Sequence, residues 1–364
     1  MNSMRGPAVP TIGYIIHMKV DVNLDVSSLS AISSSAEELD RAGYDGLWAS
    51  ESAHDPFLPI GVAALGSRHA ELGTSIAVAF ARTPMTVAYT AHDLQVYSGG
   101  RFLLGLGSQV KPHIERRFSM PWSQPVARMR EFVSALHAIW DSWETGAPLS
   151  FRGEFYRHTL MTPFFTPPQH GFGRPKIIVA AVGEAMSRIT GEVADGILLH
   201  GFTTERYIRE VTIPAVEGGL AASGRDRARF QIAHLPLIAT GRTEEEAKTA
   251  QQAVRAQVAF YGSTPSYRPV LTLHGWGDLA DELNLLSRSR REDKWDAMTG
   301  LVDDEVLNTF AVVAEPGRVA GELTARFGDV VDRMKFYAPY GSERSIWDGI
   351  RAELAASSST SSGE

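Results

Sequence analysis

Short apolar runs alternate with amphipathic segments along most of the chain. Each apolar run has the length of a buried strand, and each amphipathic segment repeats its apolar residues at helical spacing. The predicted strands, in chain order, are Thr11–His17, Asp45–Glu51, Leu72–Phe80, Arg101–Gln109, Lys176–Ala181, Gly196–His200, Phe230–Thr240 and Val331–Tyr337. Strands that alternate with helices pair in parallel, because each helix carries the chain back across the sheet.

The repeated strand–helix unit, without a linker-like break, predicts a single (β/α)8 or TIM barrel over residues 1–355. A doubly wound sheet is the alternative fold. Residues 149–175 and 261–304 interrupt the rhythm and are predicted to be loop insertions, the second with extra helices. Thr243 and Glu246 have capping-box spacing, which predicts the start of a charged helix. The small polar residues 356–364 predict a disordered tail.

Composition excludes several classes of function. The chain has no cysteine, which rules out disulfides, thiolate zinc sites and cysteine nucleophiles. A formal net charge of −7 without a basic stripe argues against nucleic acid as a partner. No apolar segment has bilayer length and the first residues lack a signal-peptide core, so no membrane partner is expected. We therefore expect a cytoplasmic protein with a small-molecule substrate.

Glycines near the end of the fourth strand mark a place where a ligand is expected. Gly105 and Gly107 are followed by Ser108 and Gln109, and α/β proteins hold ligands where such a strand opens into a loop before a helix. The dinucleotide fingerprint G-x-G-x-x-G fails, because Val110 occupies the third glycine position. A plain strand-to-loop junction remains the alternative interpretation.

Titratable residues follow several strands, and the carboxyl ends of barrel strands share one face. Glu51 and His54 follow the second strand and are candidates for proton transfer, because both types titrate near useful values when partly buried. A solvated loop or a metal site is the alternative. His17 and His200 end the first and sixth strands and are candidates for contacting the substrate, with structural histidines as the alternative.

The segment Val182–Glu184 leads from the fifth strand into a helix. Free backbone N–H groups and the helix dipole at such a junction favour a phosphate, although a simple turn is the alternative. The G-x-S-x-G elbow of serine hydrolases, the Walker loop and the H-E-x-x-H zinc motif do not occur in the chain.

Four segments together resemble the bacterial luciferase-like flavin monooxygenase superfamily. They are Gly43–Glu51, Thr74–Pro84, Ser98–Gly107 and Arg174–Ala181, and the resemblance runs in order from about residue 11 to 340. Ala77–Pro84 and Gly105–Arg117 are most similar to the branch that uses the deazaflavin coenzyme F420. The resemblance implies a TIM barrel with an insertion after the fourth helix, in agreement with the break at 149–175.

The resemblance also implies where the cofactor is bound. A non-proline cis peptide and a bulge near Val78, Ala79 and Phe80 would back the central ring. Gly107, Ser108 and Gln109 would line the ring or its ribityl chain. The phosphate would be held by six consecutive residues, namely Ala181, Val182, Gly183, Glu184, Ala185 and Met186.

The activity that the resemblance implies is hydride transfer between F420 and a small organic substrate, in a homodimer. Members of this branch that oxidise sugar phosphates place an acid directly before a histidine, whereas Ser52 and Ala53 separate Glu51 from His54 here. This departure argues against sugar phosphate oxidation. A reduced-FMN monooxygenase with a reductase partner and a non-catalytic cofactor-binding barrel are the alternatives.

Overall fold

Eight parallel strands close into a barrel at the centre of the protein. The computed structural model describes the backbone of residues 18–360 and the side chains of residues 18–356. The barrel strands are Lys19–Asn23 (β1), Gly46–Ala49 (β2), Glu71–Thr74 (β3), Phe102–Gly107 (β4), Lys176–Ala181 (β5), Gly196–Leu199 (β6), Gln231–His234 (β7) and Arg333–Lys335 (β8). Neighbours pair in the order β3-β2-β1-β8-β7-β6-β5-β4, and β4 pairs with β3. The predicted TIM barrel is confirmed.

The helices that follow the barrel strands bury an apolar face against the barrel, as Ile32, Ala36 and Leu39 do in the first helix. The helices are Ile32–Arg41 (α1), Phe57–Gly66 (α2), Pro84–Tyr97 (α3), Pro125–Thr145 (α4), Glu184–Val193 (α5), Ile213–Ser223 (α6), Glu244–Gly262 (α7), Arg268–Leu273 (α8), Gly277–Ser287 (α9), Lys294–Gly300 (α10), Asp304–Phe310 (α11), Pro316–Phe327 (α12) and Arg344–Thr360 (α13). A short turn, Glu205–Tyr207, and a wider one, Ile208–Thr212, precede α6. None of the helices in the described part of the chain combines the length and apolar character that a bilayer crossing requires.

The first barrel strand lies later than the apolar pattern predicts. The predicted strand Thr11–His17 falls outside the described residues, and β1 follows it in a stretch that contains Lys19 and Asp21. These charged residues belong to an ion network. Arg333 donates two hydrogen bonds to the Asp21 carboxylate, at 2.7 and 2.9 Å, and one to Glu71 at 2.9 Å. Because the network places charge inside the barrel, a search for apolar runs misses β1.

The predicted third strand, Leu72–Phe80, is divided. After β3 the peptide bond between Ser75 and Ile76 is cis, and the chain continues as a two-residue strand, Ala77–Val78, and a 3-10 turn, Ala79–Ala81. The family resemblance placed the cis bond near Val78–Phe80, so the structure corrects its position to the start of the irregular segment. The short strand pairs with the last residues of β4.

The predicted seventh strand, Phe230–Thr240, also divides after β7. Leu237–Ala239 leaves the barrel and pairs in parallel with Ala311–Val313, outside the barrel sheet. The helices α8 to α11 lie between these two strands and surround a second apolar core that includes Leu271 and Met298. The extra helices predicted within residues 261–304 are therefore present. They belong to a helical layer that is inserted in the chain between β7 and β8.

Three smaller predictions concern the first insertion, the capping box and the tail. Residues 149–175 contain an antiparallel hairpin of two-residue strands. The Thr243 hydroxyl accepts a hydrogen bond from the Glu246 N–H at 3.2 Å, and the Glu246 carboxylate accepts from the Thr243 N–H at 3.3 Å, so the capping box is confirmed. The tail differs from its prediction, because α13 continues to Thr360; residues 361–364 lie outside the described residues.

Candidate active site

The interior side chains of the barrel identify which residues reach its mouth. Leu198 of β6 and Ala233 of β7 belong to a buried cluster inside the barrel. Since alternate residues of a strand face the same side, His200, two positions after Leu198, faces the mouth. Tyr337 stands in the same relation to Lys335, which is buried inside the barrel. Active sites of TIM barrels lie at this end, where the strands finish.

Glu51 fixes the segment that follows β3. Its carboxylate accepts hydrogen bonds from the Val78 N–H and from the Arg82 guanidinium, both at 2.7 Å, and its side chain is only 5% exposed. Arg82 also forms an ion pair with Asp55 at 2.8 Å. Glu51 therefore holds the backbone of the 3-10 turn in place through a buried ion pair. Its predicted part in proton transfer stays a prediction.

His54 lies on the exposed turn between β2 and α2. Glu51 and His54 are the two predicted candidates for proton transfer, and no hydrogen bond joins them in the described part of the chain. His17, the other predicted histidine of the early strands, falls outside the described residues. Of the predicted histidines in the described part of the chain, His200 is the one that forms hydrogen bonds, with the Phe202 N–H and the Tyr267 hydroxyl.

Gly107 lets an apolar side chain lie across the end of β4. A Cβ atom on Gly107 would stand 2.8 Å from both Cγ1 and Cδ1 of Ile76. Ile76 is half-buried, whereas Val78, Ala79 and Phe80 are fully buried. The side chains of those three predicted residues are therefore in the core, and Ile76 presents the apolar surface here. We call Glu51, Ile76, Val78, Arg82 and Gly107 the front wall.

Ser108 and Gln109 form a tight turn after β4. Gln109 has a φ of 61°, in the left-handed region, and its side-chain oxygen accepts the Val110 N–H at 3.0 Å. The Ser108 hydroxyl donates to the Gln109 carbonyl at 3.1 Å. Both residues are half-buried next to Gly107, and their predicted contact with a ligand stays a prediction.

The junction of β5 and α5 leaves helix N–H groups free of intrahelical partners. Gly183 occupies the N-cap position without a side-chain cap, and no atom lies within 4 Å of the position that its Cβ would take. Ala181 is buried, Val182 and Met186 are half-buried, and Glu184 and Ala185 are exposed. The geometry suits an anion, although the Glu184 carboxylate in the first turn would oppose it.

A group of four polar aromatic residues forms the opposite side of the mouth, which we call the back wall: His200, Tyr261, Tyr267 and Tyr337. The His200 Nδ1 accepts the Phe202 N–H at 3.0 Å, and its Nε2 lies 3.3 Å from the Tyr267 hydroxyl oxygen. The hydroxyls of Tyr261 and Tyr337 are 3.0 Å apart. The His200–Tyr267 hydrogen bond joins the end of β6 to the turn before α8. The Tyr261–Tyr337 hydrogen bond joins α7 to the end of β8.

Burial keeps the back wall neutral. It lowers the pKa of His200 to about 4 and, with a smaller contribution from Tyr261, raises the pKa of Tyr267 to about 12. Burial is also the main cause that raises the pKa of Tyr261 and of Tyr337. The three tyrosines were missed in the sequence because two of them lie in a segment without strand or helix periodicity. The third, Tyr337, lies two residues after the buried Lys335, just as His200 lies two residues after Leu198.

Lys335 lies beneath the mouth, two residues before Tyr337 of the back wall and hydrogen-bonded to Ser75, the residue before Ile76 of the front wall. Its ammonium donates to the Ser75 hydroxyl at 2.7 Å, beside the cis peptide, and lies over the Trp48 ring at 5.7 Å. Burial lowers the pKa of Lys335 to about 7. Alternation of polar and apolar residues in Val331–Tyr337 was a signal that could have placed this lysine inside the barrel.

Comparisons with known proteins identify the family and agree with the fold. A family model described as luciferase-like monooxygenase matches residues 11–333. An uncharacterised protein of Mycobacterium tuberculosis is 52% identical over 317 residues, which cover 87% of this chain and 92% of the relative. A 5,10-methylenetetrahydromethanopterin reductase of Archaeoglobus fulgidus is 24% identical over 309 residues, covering 83% and 88%.

The fold is also similar to that of a coenzyme F420 dependent tetrahydromethanopterin reductase from Methanopyrus kandleri. The TM-score is 0.75 at 17% sequence identity, and the match covers 93% of this chain and 98% of the other. Because the identity is low, this similarity concerns the fold alone.

Proposed function

Because the chain belongs to the luciferase-like monooxygenase family, we propose that it uses coenzyme F420 to pass a hydride to or from a small organic substrate. Membership of the family, with reductases among its relatives, makes the chain an oxidoreductase. The choice of cofactor is supported by the similar fold of the Methanopyrus enzyme, which is named for its dependence on F420.

The observation that carries this proposal is the contact between Gly107 and Ile76. A side chain at position 107 would collide with Ile76, and without one Ile76 can lie flat across the end of β4. The half-buried isoleucine then offers a flat apolar face, which fits a planar tricyclic ring. Val78 and the following turn would back the ring through their main chain, because their side chains point into the core.

The polar part of the cofactor would extend from the front wall toward α5. Ser108 and Gln109 supply hydroxyl, amide and main-chain groups beside Gly107, as a ribityl chain requires. Residues 181–186 would hold the phosphate through the unpaired N–H groups at the start of α5. Open space around Gly183 leaves room for that group.

When bound, the deazaflavin supplies a hydride donor or acceptor at ring carbon 5, and the chain supplies position and a proton donor or acceptor. The Glu51–Arg82 ion pair would position the main-chain segment that backs the ring. His54 stays a candidate for the proton, on an exposed turn that a bound substrate would have to cover.

Titration of the purified protein with F420, followed by the fluorescence of the deazaflavin, tests the proposal, with FMN titrated in parallel. We expect F420 to bind and FMN to bind far more weakly. Gly107→Ala should weaken F420 binding by about tenfold or more, because Ile76 has to leave its position. Tight binding of FMN without F420 binding would instead favour the monooxygenase.

Gly321→Ala is the matched control for the substitution. Gly321 lies within α12, and no atom stands within 4 Å of its Cβ position. The alanine should leave F420 affinity unchanged, and in a helix it should add up to about 1 kcal/mol to the free energy of unfolding. Equal losses of F420 affinity in both variants would remove the assigned role of Gly107.

A further inference from the structure

The hydrogen bonds of His200 determine which hydrogen of the His200–Tyr267 pair is left without an acceptor. A neutral imidazole has one donor and one acceptor nitrogen. The Nδ1 of His200 accepts the Phe202 N–H, so the ring hydrogen is on Nε2 and points at the Tyr267 oxygen. Tyr267 thus accepts one hydrogen bond and keeps its own hydroxyl hydrogen. Among the described residues no acceptor takes that hydrogen.

The surroundings of Tyr267 contain aromatic rings and neutral polar atoms. The rings of His200, Phe202 and Tyr261 lie with their centroids 4.7, 5.8 and 6.0 Å from its own. No carboxylate or cation is among the causes of either shifted pKa: burial lowers the pKa of His200, and burial together with Tyr261 raises that of Tyr267. A charged group brought here would lose its hydration without gaining an opposite charge. The wall therefore suits a neutral hydrogen-bond acceptor.

We propose that Tyr267 is the proton donor for an uncharged carbonyl substrate, a step that rests on the proposed deazaflavin function. The carbonyl carbon gains the hydride of a reduced deazaflavin, and the π electron pair of the C=O bond moves to its oxygen. The Tyr267 O–H bond breaks, and its proton passes to that oxygen to give the alcohol. His200 Nε2–H stabilises the phenolate, which is reprotonated from water.

Tyr267 holds its proton throughout the neutral range, and it can give that proton to the alkoxide formed by hydride addition, because an alkoxide is more basic than a phenolate. Oxidation of the alcohol is the reverse of this step. The assignment also explains why the loop after β6 and the insertion after β7 meet: each supplies one half of the His200–Tyr267 pair.

The experiment uses the full-length protein loaded with oxidised F420 and a ketone labelled at its carbonyl carbon, cyclohexanone, as the probe. Isotope-edited infrared spectra report the carbonyl stretch of the bound ketone. A hydrogen bond from Tyr267 should lower that stretch, and Tyr267→Phe should reverse the shift. With reduced F420, Tyr267→Phe should also slow oxidation of the deazaflavin by about a hundredfold or more and leave F420 affinity unchanged.

Tyr97→Phe, at an exposed position of α3, removes the same hydroxyl far from the mouth and should change neither readout. Two charged ketones, cyclohexylglyoxylate and the ammonium form of 4-aminocyclohexanone, keep a reducible carbonyl but carry a charge, and they should not oxidise reduced F420. Thermal melting confirms that the variants are folded.

The outcomes separate the two proposals. If the wild-type protein does not bind F420, the proposed function fails and this step fails with it. If F420 binds, three results overturn the present inference alone: no carbonyl shift in the wild type, full activity in Tyr267→Phe, or turnover of the charged ketones in place of cyclohexanone.

Discussion

The front and back walls of the mouth are built from different kinds of interaction. In the front wall a buried ion pair, Glu51 with Arg82, holds a main-chain segment against β4. In the back wall, hydroxyls and an imidazole, all neutral, join three elements that are distant in the chain. The front wall is thus a rigid main-chain surface, and the back wall is a set of exchangeable hydrogen-bond donors and acceptors.

This difference matches two requirements of a cofactor-dependent enzyme. A reusable cofactor needs a fixed surface, and an ion pair that holds main chain supplies one. A substrate that binds and leaves needs groups that form and release hydrogen bonds without moving charge. A substitution in one wall should therefore leave the other wall intact. Each substitution has its own expected effect on the free energy of unfolding and on F420 binding.

Removing the cation of the front wall should have the largest effect on stability. Arg82→Ala leaves the buried Glu51 carboxylate without its guanidinium partner, which should cost about 3–5 kcal/mol in the free energy of unfolding. Urea unfolding measures this change, and F420 titration should show weaker binding. The control is Arg318→Ala, which breaks an exposed pair with Glu322 and should cost less than about 1 kcal/mol. Similar losses in both variants would contradict a stabilising role for the buried Glu51–Arg82 ion pair.

Lys335, which lies beneath the mouth, should make stability depend on pH. The folded pKa is about 7 and that of an unfolded lysine about 10.4, so between these values the unfolded chain binds the extra proton. The free energy of unfolding should therefore rise from pH 7 to pH 10, by about 1.4 kcal/mol per unit from this group. Lys335→Met should remove that part of the slope.

Urea unfolding at several pH values, for both proteins, measures the difference. Lys111→Met removes the same charge from an exposed position and should leave the slope unchanged. If the slopes of wild type and Lys335→Met coincide, burial does not lower the pKa of the lysine, and its ammonium stays charged inside the barrel over this pH range.

The smallest effect is expected in the back wall. Tyr261→Phe removes one partner of the Tyr261–Tyr337 hydrogen bond and should lower the free energy of unfolding by about 1 kcal/mol. It should leave F420 binding unchanged, because the pair lies on the opposite side of the mouth. A loss of F420 affinity as large as that in Arg82→Ala would show that the two walls do not act separately.

The apolar and glycine signals predicted the parts of the site that lie at strand ends. β4 and β5 are nearly continuous apolar runs, so their ends, with Gly107 and Ala181, could be located before the structure was known. His200 followed from the end of the sixth predicted strand. These signals work because a strand that is buried on both faces is an almost unbroken run of apolar residues, which can be seen in the sequence.

Other parts could not be located in this way. β1 carries charge into the barrel, where Arg333 neutralises Asp21 from the far end of the chain. The partner of Glu51 was taken to be His54, its neighbour in sequence, and the structure shows Arg82. In each case the sequence contains both partners but no local pattern that joins them.

The sequence by itself determined the alternation of strands and helices, the two insertions, the glycine at the end of β4 and the family. Only the tertiary structure decided which side chains meet. Lys335 reaches Ser75 across 260 positions, and Tyr267 reaches His200 across 67. Periodicity reports which face of each element is buried, whereas closure of the barrel sets the distances between elements, and proton donors and ion pairs depend on those distances.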